Sequence, residues 1–153
     1  MCQHAVAIVE PRNHALLAET IRNAVQHSSR DWCVQVFHGS STPTAALPRD
    51  PRVSFHDLGV DNLTASEYNK LLLDPGFWDK IHGNGKVLIM QTDSAFCGNT
   101  RSPQLDEFPA YGFIGCSASV DAWGGKCRGI GGFSLRDKAT ICLLYTSPSP
   151  RDV

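Results

Sequence analysis

The chain has 153 residues, 42% of them hydrophobic and 19% charged, with a formal net charge of -1. This size and apolar content suit one α/β domain burying a single core, and set aside a disordered chain. The near-neutral balance offers no basic surplus to neutralise a run of phosphates, so nucleic acid is not an expected partner.

HAVAIVE, residues 4–10, is an almost unbroken apolar run and predicts a central strand covered on both faces. Asn13 is placed to cap a helix whose Leu17, Ile21, Ala24 and Val25 share one side, running to about Ser28. WCVQVFH, residues 32–38, predicts a second strand ending in the small residues Gly39, Ser40 and Ser41. RVSFHDL, residues 52–58, is a weaker third strand. TASE, residues 64–67, has the capping-box pattern ahead of Tyr68, Leu71 and Leu72, and predicts a second helix. Pro75-Gly76 breaks it and a short FWDKI turn follows. Gly83-Asn84-Gly85 then leads into KVLIMQ, a fourth strand ending at Gln91-Thr92-Asp93. This order is the βαβ grammar of a Rossmann-like, open, mostly parallel sheet flanked by helices, whose ligands sit at the carboxyl ends of strands.

After Phe96 the pattern weakens. YGFIG at 111–115 and the Gly-rich DAWGGKCRGIGG at 121–132 read as site-building loops, and FSLRDKATICLL as a short strand turning into a helix. CLLYTSPSPRDV resembles translated sequencing-adapter read-through, so the domain is expected over residues 4–141 and a non-native tail over 142–153. No stretch reaches the roughly 18 apolar residues of a membrane helix, and the start lacks a signal-peptide pattern. A soluble segment is expected; a secretory or Golgi setting needs an anchor upstream, and a cytoplasmic one does not. The six cysteines show no CxxC pair, which argues against structural zinc. Cys33, within an apolar strand, reads as a buried free thiol, although the even count permits disulfides.

QTDS, residues 91–94, carries the strongest chemical signal. An acid just past a buried central strand is held rigidly toward the ligand crevice, where Asp93 can hold a divalent cation that also binds a diphosphate. The alternative is an Asp that caps the next turn.

AVAIVEPRNH, VFHGSS, LTASEYNKLL, KVLIMQTDSAFC, YGFIG and GIGGFSLR, in this order, resemble the family described as domain of unknown function 5672, over about residues 4–140. That family is similar to GT-A glycosyltransferases, whose DxD motif follows a central strand and binds metal and nucleotide diphosphate. The resemblance implies the nucleotide-sugar-binding half of a GT-A-like fold, C-terminally truncated, with catalysis expected of a longer chain. It implies a nucleotide-sugar donor, an acceptor hydroxyl, and Mn2+ or Mg2+ at Asp93. Gln91 stands where the motif has its first acid, which leaves a sparse metal shell.

By the same resemblance Glu10, Arg12 and Asn13 contact the nucleotide, with Arg12 able to fork onto phosphate. His38, Gly39, Ser40 and Ser41 lie near ribose or base, and Gln91, Asp93 and Ser94 near the diphosphate. Gly131, Gly132 and Phe133 fall in the segment beneath the donor sugar and acceptor. Trp123 can stack on a sugar face or serve as a packing anchor. Asp121 and Asp137 are the candidate general bases. Two rival functions remain: a binding module that keeps the fold without catalysis, and a thiol hydrolase using Cys97 or Cys116, which no local signature supports.

Overall fold

The structure, a computed structural model, describes residues 2–98, 105, 108, 110–117 and 129–146, with the backbone alone at 116, 117, 129–131, 145 and 146. His4–Glu10 forms β1, and six of its seven residues are buried, as its continuous apolar run requires. β1 pairs in parallel with β2, Trp32–His38, and on its other side with β4, Lys86–Met90. β3, Val53–Asp57, adds a parallel strand outside β2. Beyond β4 the sheet becomes mixed. β6, Gly129–Asp137, runs antiparallel to β4, and β5, Phe113–Ser117, antiparallel to β6. The six-stranded order is β3-β2-β1-β4-β6-β5.

Alternation along β1 divides the core into two layers. Val6 and Ile8 pack with Leu17, Ile21 and Ala24 of α1, Leu17–His27. Ala5, Ala7 and Val9 face the opposite side. There they meet Leu72 of α2, Ala65–Leu73, Phe77 and Trp78 of α3, Pro75–Asp79, and Ile141 of α4, Lys138–Thr146. The sheet is therefore flanked by helices on both faces, an α/β architecture.

The capping box at Thr64 forms as read: Thr64 Oγ1 accepts from the Glu67 amide and the Glu67 carboxylate accepts from the Thr64 amide. The segment after it is better ordered than a turn. Asp74 accepts from the Gly76 amide at 2.9 Å and Pro75 occupies the first position of α3, where a missing N–H costs nothing. The helix is anchored by burial of Phe77 and Trp78 and by a 2.9 Å bond from Trp78 Nε1 to the Leu72 carbonyl.

Three expectations are corrected. Asn13 does not cap α1: Leu16 is the N-cap residue with no side-chain cap, and its amide donates to His14 Nδ1. The segments taken for loops at 111–115 and within 121–132 contribute strands β5 and β6 from residues 113 and 129. Their glycines give little strand preference, and pairing of β6 on both sides, with β4 and β5, supplies the order instead. Cys33 is not a free thiol but is bonded to Cys2, with Cα atoms 5.6 Å apart. The register that sets Ala5 opposite Cys33 carries the residues just before β1 alongside the start of β2. Among the described residues no helix is long and apolar enough to cross a membrane.

Candidate functional site

Strand order reverses direction between β1 and β4, since β2 and β3 build outward from one side of β1 and β4 lies on the other. A crevice is expected outside the carboxyl ends of the strands at such a point. A cleft of about 960 Å³ lies there, walled by Glu10, Pro11 and Arg12 after β1, Gln91, Thr92 and Asp93 after β4, Tyr68 and Asn69 of α2, and Gly132 and Arg136 of β6.

The turn after β4 is closed locally. Ser94 Oγ donates to the Gln91 carbonyl at 2.8 Å, and the Ser94 amide donates to the same carbonyl at 3.1 Å. Thr92 points inward and donates from Oγ1 to Glu10 Oε2 at 2.7 Å. Asp93, next along the turn, is exposed and faces the cleft. The buried threonine thus anchors the turn that presents the acid.

Glu10 is fully engaged. Its Oε1 accepts from the Arg12 amide at 3.1 Å and from Arg12 Nε at 2.7 Å, and its Oε2 accepts from Arg12 Nη2 at 2.8 Å as well as from Thr92. Burial pushes the Glu10 carboxyl up, but the hydrogen bonds from the Arg12 side chain, Thr92 and the Arg12 backbone outweigh it and hold the group below its ordinary value. The Glu10 side chain is 3% exposed and that of Arg12 58%. Arg12 therefore has one edge of its fork committed to Glu10 and turns the rest of its guanidinium to solvent. One edge of the fork expected to grip phosphate is thus taken up within the chain, and the other stays open.

On the opposite wall, the Tyr68 hydroxyl is closed off from solvent and, among the described residues, makes no hydrogen bond of good geometry. Burial raises its pKa to about 12, offset in part by the nearby Gln91 side chain and the Arg136 charge. Arg136 is itself buried, donates from Nε to Ser134 Oγ at 3.1 Å, and lies 5.7 Å from the ring centres of both Trp78 and Phe113.

The structure thus brings Glu10, Arg12, Gln91, Asp93 and Gly132 to one cleft. Asn13 and Ser94 are not among its lining side chains. His38, Gly39 and Ser40 lie beside it at the end of β2, where Gly39 abuts the Pro11 carbonyl, His38 Nδ1 meets the Gly39 carbonyl and Ser40 donates to Asp57. Phe133 packs against Phe96 in the α1-side layer, with ring centres 5.4 Å apart. Asp137 lies at the far end of the sheet, opposite Lys86, where it receives Lys86 Nζ at 3.0 Å and caps the Thr140 amide at 2.9 Å. It is not among the residues that line the cleft. Gly131 lies within β6, and Asp121 and Trp123 fall outside the described residues. Cys97 is exposed and does not line the cleft, and the Cys116 side chain lies outside what is described.

Sequence reading missed Tyr68 and Arg136. Tyr68 follows the capping box as one of the residues that mark a helix, with no chemical signal of its own, and nothing in a Gly-rich segment announces a buried arginine. A charge at alternate spacing from Ser134 in a strand was the one available signal.

Among the described residues no three His, Cys, Asp or Glu side chains gather as a metal cage. Asp93 is the cleft carboxylate outside the Glu10–Arg12 pairing. One carboxylate fits a cation that brings phosphate oxygens and water as its other ligands, rather than a site built by protein alone.

The mannosyltransferase PcManGT from Pyrobaculum calidifontis, solved in complex with GDP-mannose and Mn2+, resembles this chain with a TM-score of 0.59 at 14% sequence identity. The match covers 99% of this chain and 48% of that one, so the chain spans about half the length of the structure it resembles. The likeness is one of fold, and the fold is glycosyltransferase-like. No curated protein matches the chain. A family model described as Protein of unknown function (DUF5672) matches residues 52–151, well over half of the chain, and the chain belongs to that family.

Proposed function

We propose that this chain forms the donor-binding half of a glycosyltransferase, holding a nucleotide sugar in the cleft between β1 and β4 for transfer to an acceptor hydroxyl. The observation that carries this reading is the presentation of Asp93 into a cleft at the carboxyl ends of the central parallel strands, on a turn anchored by Thr92 and closed by Ser94. The fold-level neighbour supports it, since that protein was solved with GDP-mannose and Mn2+.

In this reading Arg12 offers the free edge of its guanidinium to phosphate, and Glu10 keeps that guanidinium oriented. Asp93 serves as the protein ligand of a Mn2+ or Mg2+ ion. When bound, such an ion neutralises charge that builds on a departing diphosphate. The acceptor side belongs to whatever completes the cleft.

Titration with UDP- and GDP-sugars, with and without Mn2+, followed by thermal shift tests the reading, because a ligand that binds only the folded state raises its stability. At least one donor is expected to stabilise the chain more strongly with Mn2+. Asp93→Ala is expected to weaken that Mn2+-dependent binding by about tenfold or more. Full retention of metal-dependent binding by Asp93→Ala removes the site assignment. A second reading, a binding module without catalysis, is favoured by one feature: both Glu10 oxygens are engaged, leaving Asp93 as the acid of the described cleft open to ligand. Donor binding without turnover in a chain that includes the flanking sequence supports the module.

A further inference from the structure

Gln91 occupies an unusual position. Its backbone is locked by the Ser94 turn, with its carbonyl accepting two bonds from Ser94. Its half-buried side chain lies across β6 over Gly132, where a Cβ would overlap the carboxamide and come within 2.9 Å of Cδ. The missing side chain at residue 132 is what makes room for it.

From the other wall, α2 presents the Tyr68 hydroxyl beside the same carboxamide, closed from water and without a bond of good geometry. A buried hydroxyl left unpaired is unfavourable. A small rotation of the Gln91 amide would satisfy it and clamp the amide between α2 and β6, with its remaining donors and acceptor turned to the cleft. A carboxamide both donates and accepts, which matches a sugar hydroxyl, whereas a magnesium or manganese ion favours carboxylate oxygens.

We propose that Gln91 reads a ring hydroxyl of the donor sugar, and that Tyr68 and Gly132 are positioning residues that hold its carboxamide for that contact. The proposal rests on the donor-site reading above and assigns the sugar end of the site. It gives the glutamine that replaces a motif acid a task of its own, discrimination between a nucleoside diphosphate and its sugar conjugate.

The test is calorimetric titration of the wild-type chain, Gln91→Ala, Tyr68→Phe and Gly132→Ala with the pairs GDP and GDP-mannose, and UDP and UDP-glucose, in Mn2+. The measured quantity is the ratio of nucleoside diphosphate Kd to nucleotide-sugar Kd. In the wild-type chain this ratio should exceed one for at least one pair. Gln91→Ala should lower it by about two- to tenfold, the range for one hydrogen bond, and Tyr68→Phe and Gly132→Ala should lower it in the same direction. Gly132→Ala is also combined with Gln91→Ala, because removing the carboxamide removes the overlap. The double variant should then fold and behave like Gln91→Ala alone.

A wild-type chain that binds none of the four ligands overturns the donor site and this inference with it. Wild-type binding with no preference for the sugar conjugate overturns the inference alone. So does a preference that survives Gln91→Ala, or affinities for both members of a pair that fall equally. A preference that Gln91→Ala removes and Tyr68→Phe leaves intact overturns the positioning role of Tyr68.

Discussion

Thr92 Oγ1 donates a 2.7 Å hydrogen bond to Glu10 Oε2, joining the second residue past β4 to the last residue of β1. Both side chains are buried, and the bond ties the exits of two neighbouring parallel strands before their chains diverge around the cleft. Thr92→Val preserves shape and removes the donor to a buried carboxylate. The expected cost is about 1–3 kcal/mol of stability, with weaker Mn2+-dependent donor binding because Asp93 sits on the loosened turn. Urea denaturation and ligand titration of the variant measure the two effects; unchanged stability would mean that the Arg12 fork alone secures Glu10.

Acidification should destabilise the fold in two stages. His56 Nε2 lies 3.0 Å from both Gln35 Nε2 and Ser54 Oγ. Burial, and then the charges of His82, His38 and Lys80, lower its pKa from 6.5. The unfolded chain therefore takes up this proton before the folded one, so the stabilisation is complete above pH 6.5 and is lost as pH falls toward the folded value. Glu10 acts in the same sense lower down: its contribution is complete above the ordinary value of 4.5 and is lost as pH falls through the depressed folded value. His56→Gln should flatten the upper stage and leave the lower one. A urea midpoint followed from about pH 8 to 2 reads both stages, and an unaltered slope in the upper stage assigns it to other histidines.

Gly39 marks where β2 meets the cleft's margin. A side chain there would run into the Pro11 carbonyl, with Asp61 Oδ1 and the Val60 carbonyl each 2.8 Å from its Cβ. Gly39→Ala should destabilise the protein by about 1–3 kcal/mol, the range for overpacking, and shift the chain after β1 that carries Arg12. Gly98→Ala, at a position with nothing among the described residues within 4 Å, is the control and should be near neutral. Equal melting temperatures for the two variants would show that the Pro11 segment yields without cost.

Local pattern carried most of the parallel half of the fold. The apolar run of β1, the alternation of β2 and the reciprocal cap at Thr64 are written in neighbouring residues, and each formed within a residue or two of where it was read. The α3 helix was harder, because its five residues are held by burial of Phe77 and Trp78 against other elements. β5 and β6 were harder still. A strand containing Gly129, Gly131 and Gly132 owes its form to partners distant in sequence.

Sequence alone determined that an acid, Asp93, follows a buried central strand, because strand burial and strand end are both local properties of the chain. Tertiary structure alone decided which residues share its cleft. Glu10 and Thr92 meet across 82 positions, one edge of the Arg12 fork closes on Glu10, and Tyr68 comes to rest beside Gln91 above Gly132. Such contacts depend on strand order and register, and a change in either would scatter these side chains without altering any local pattern.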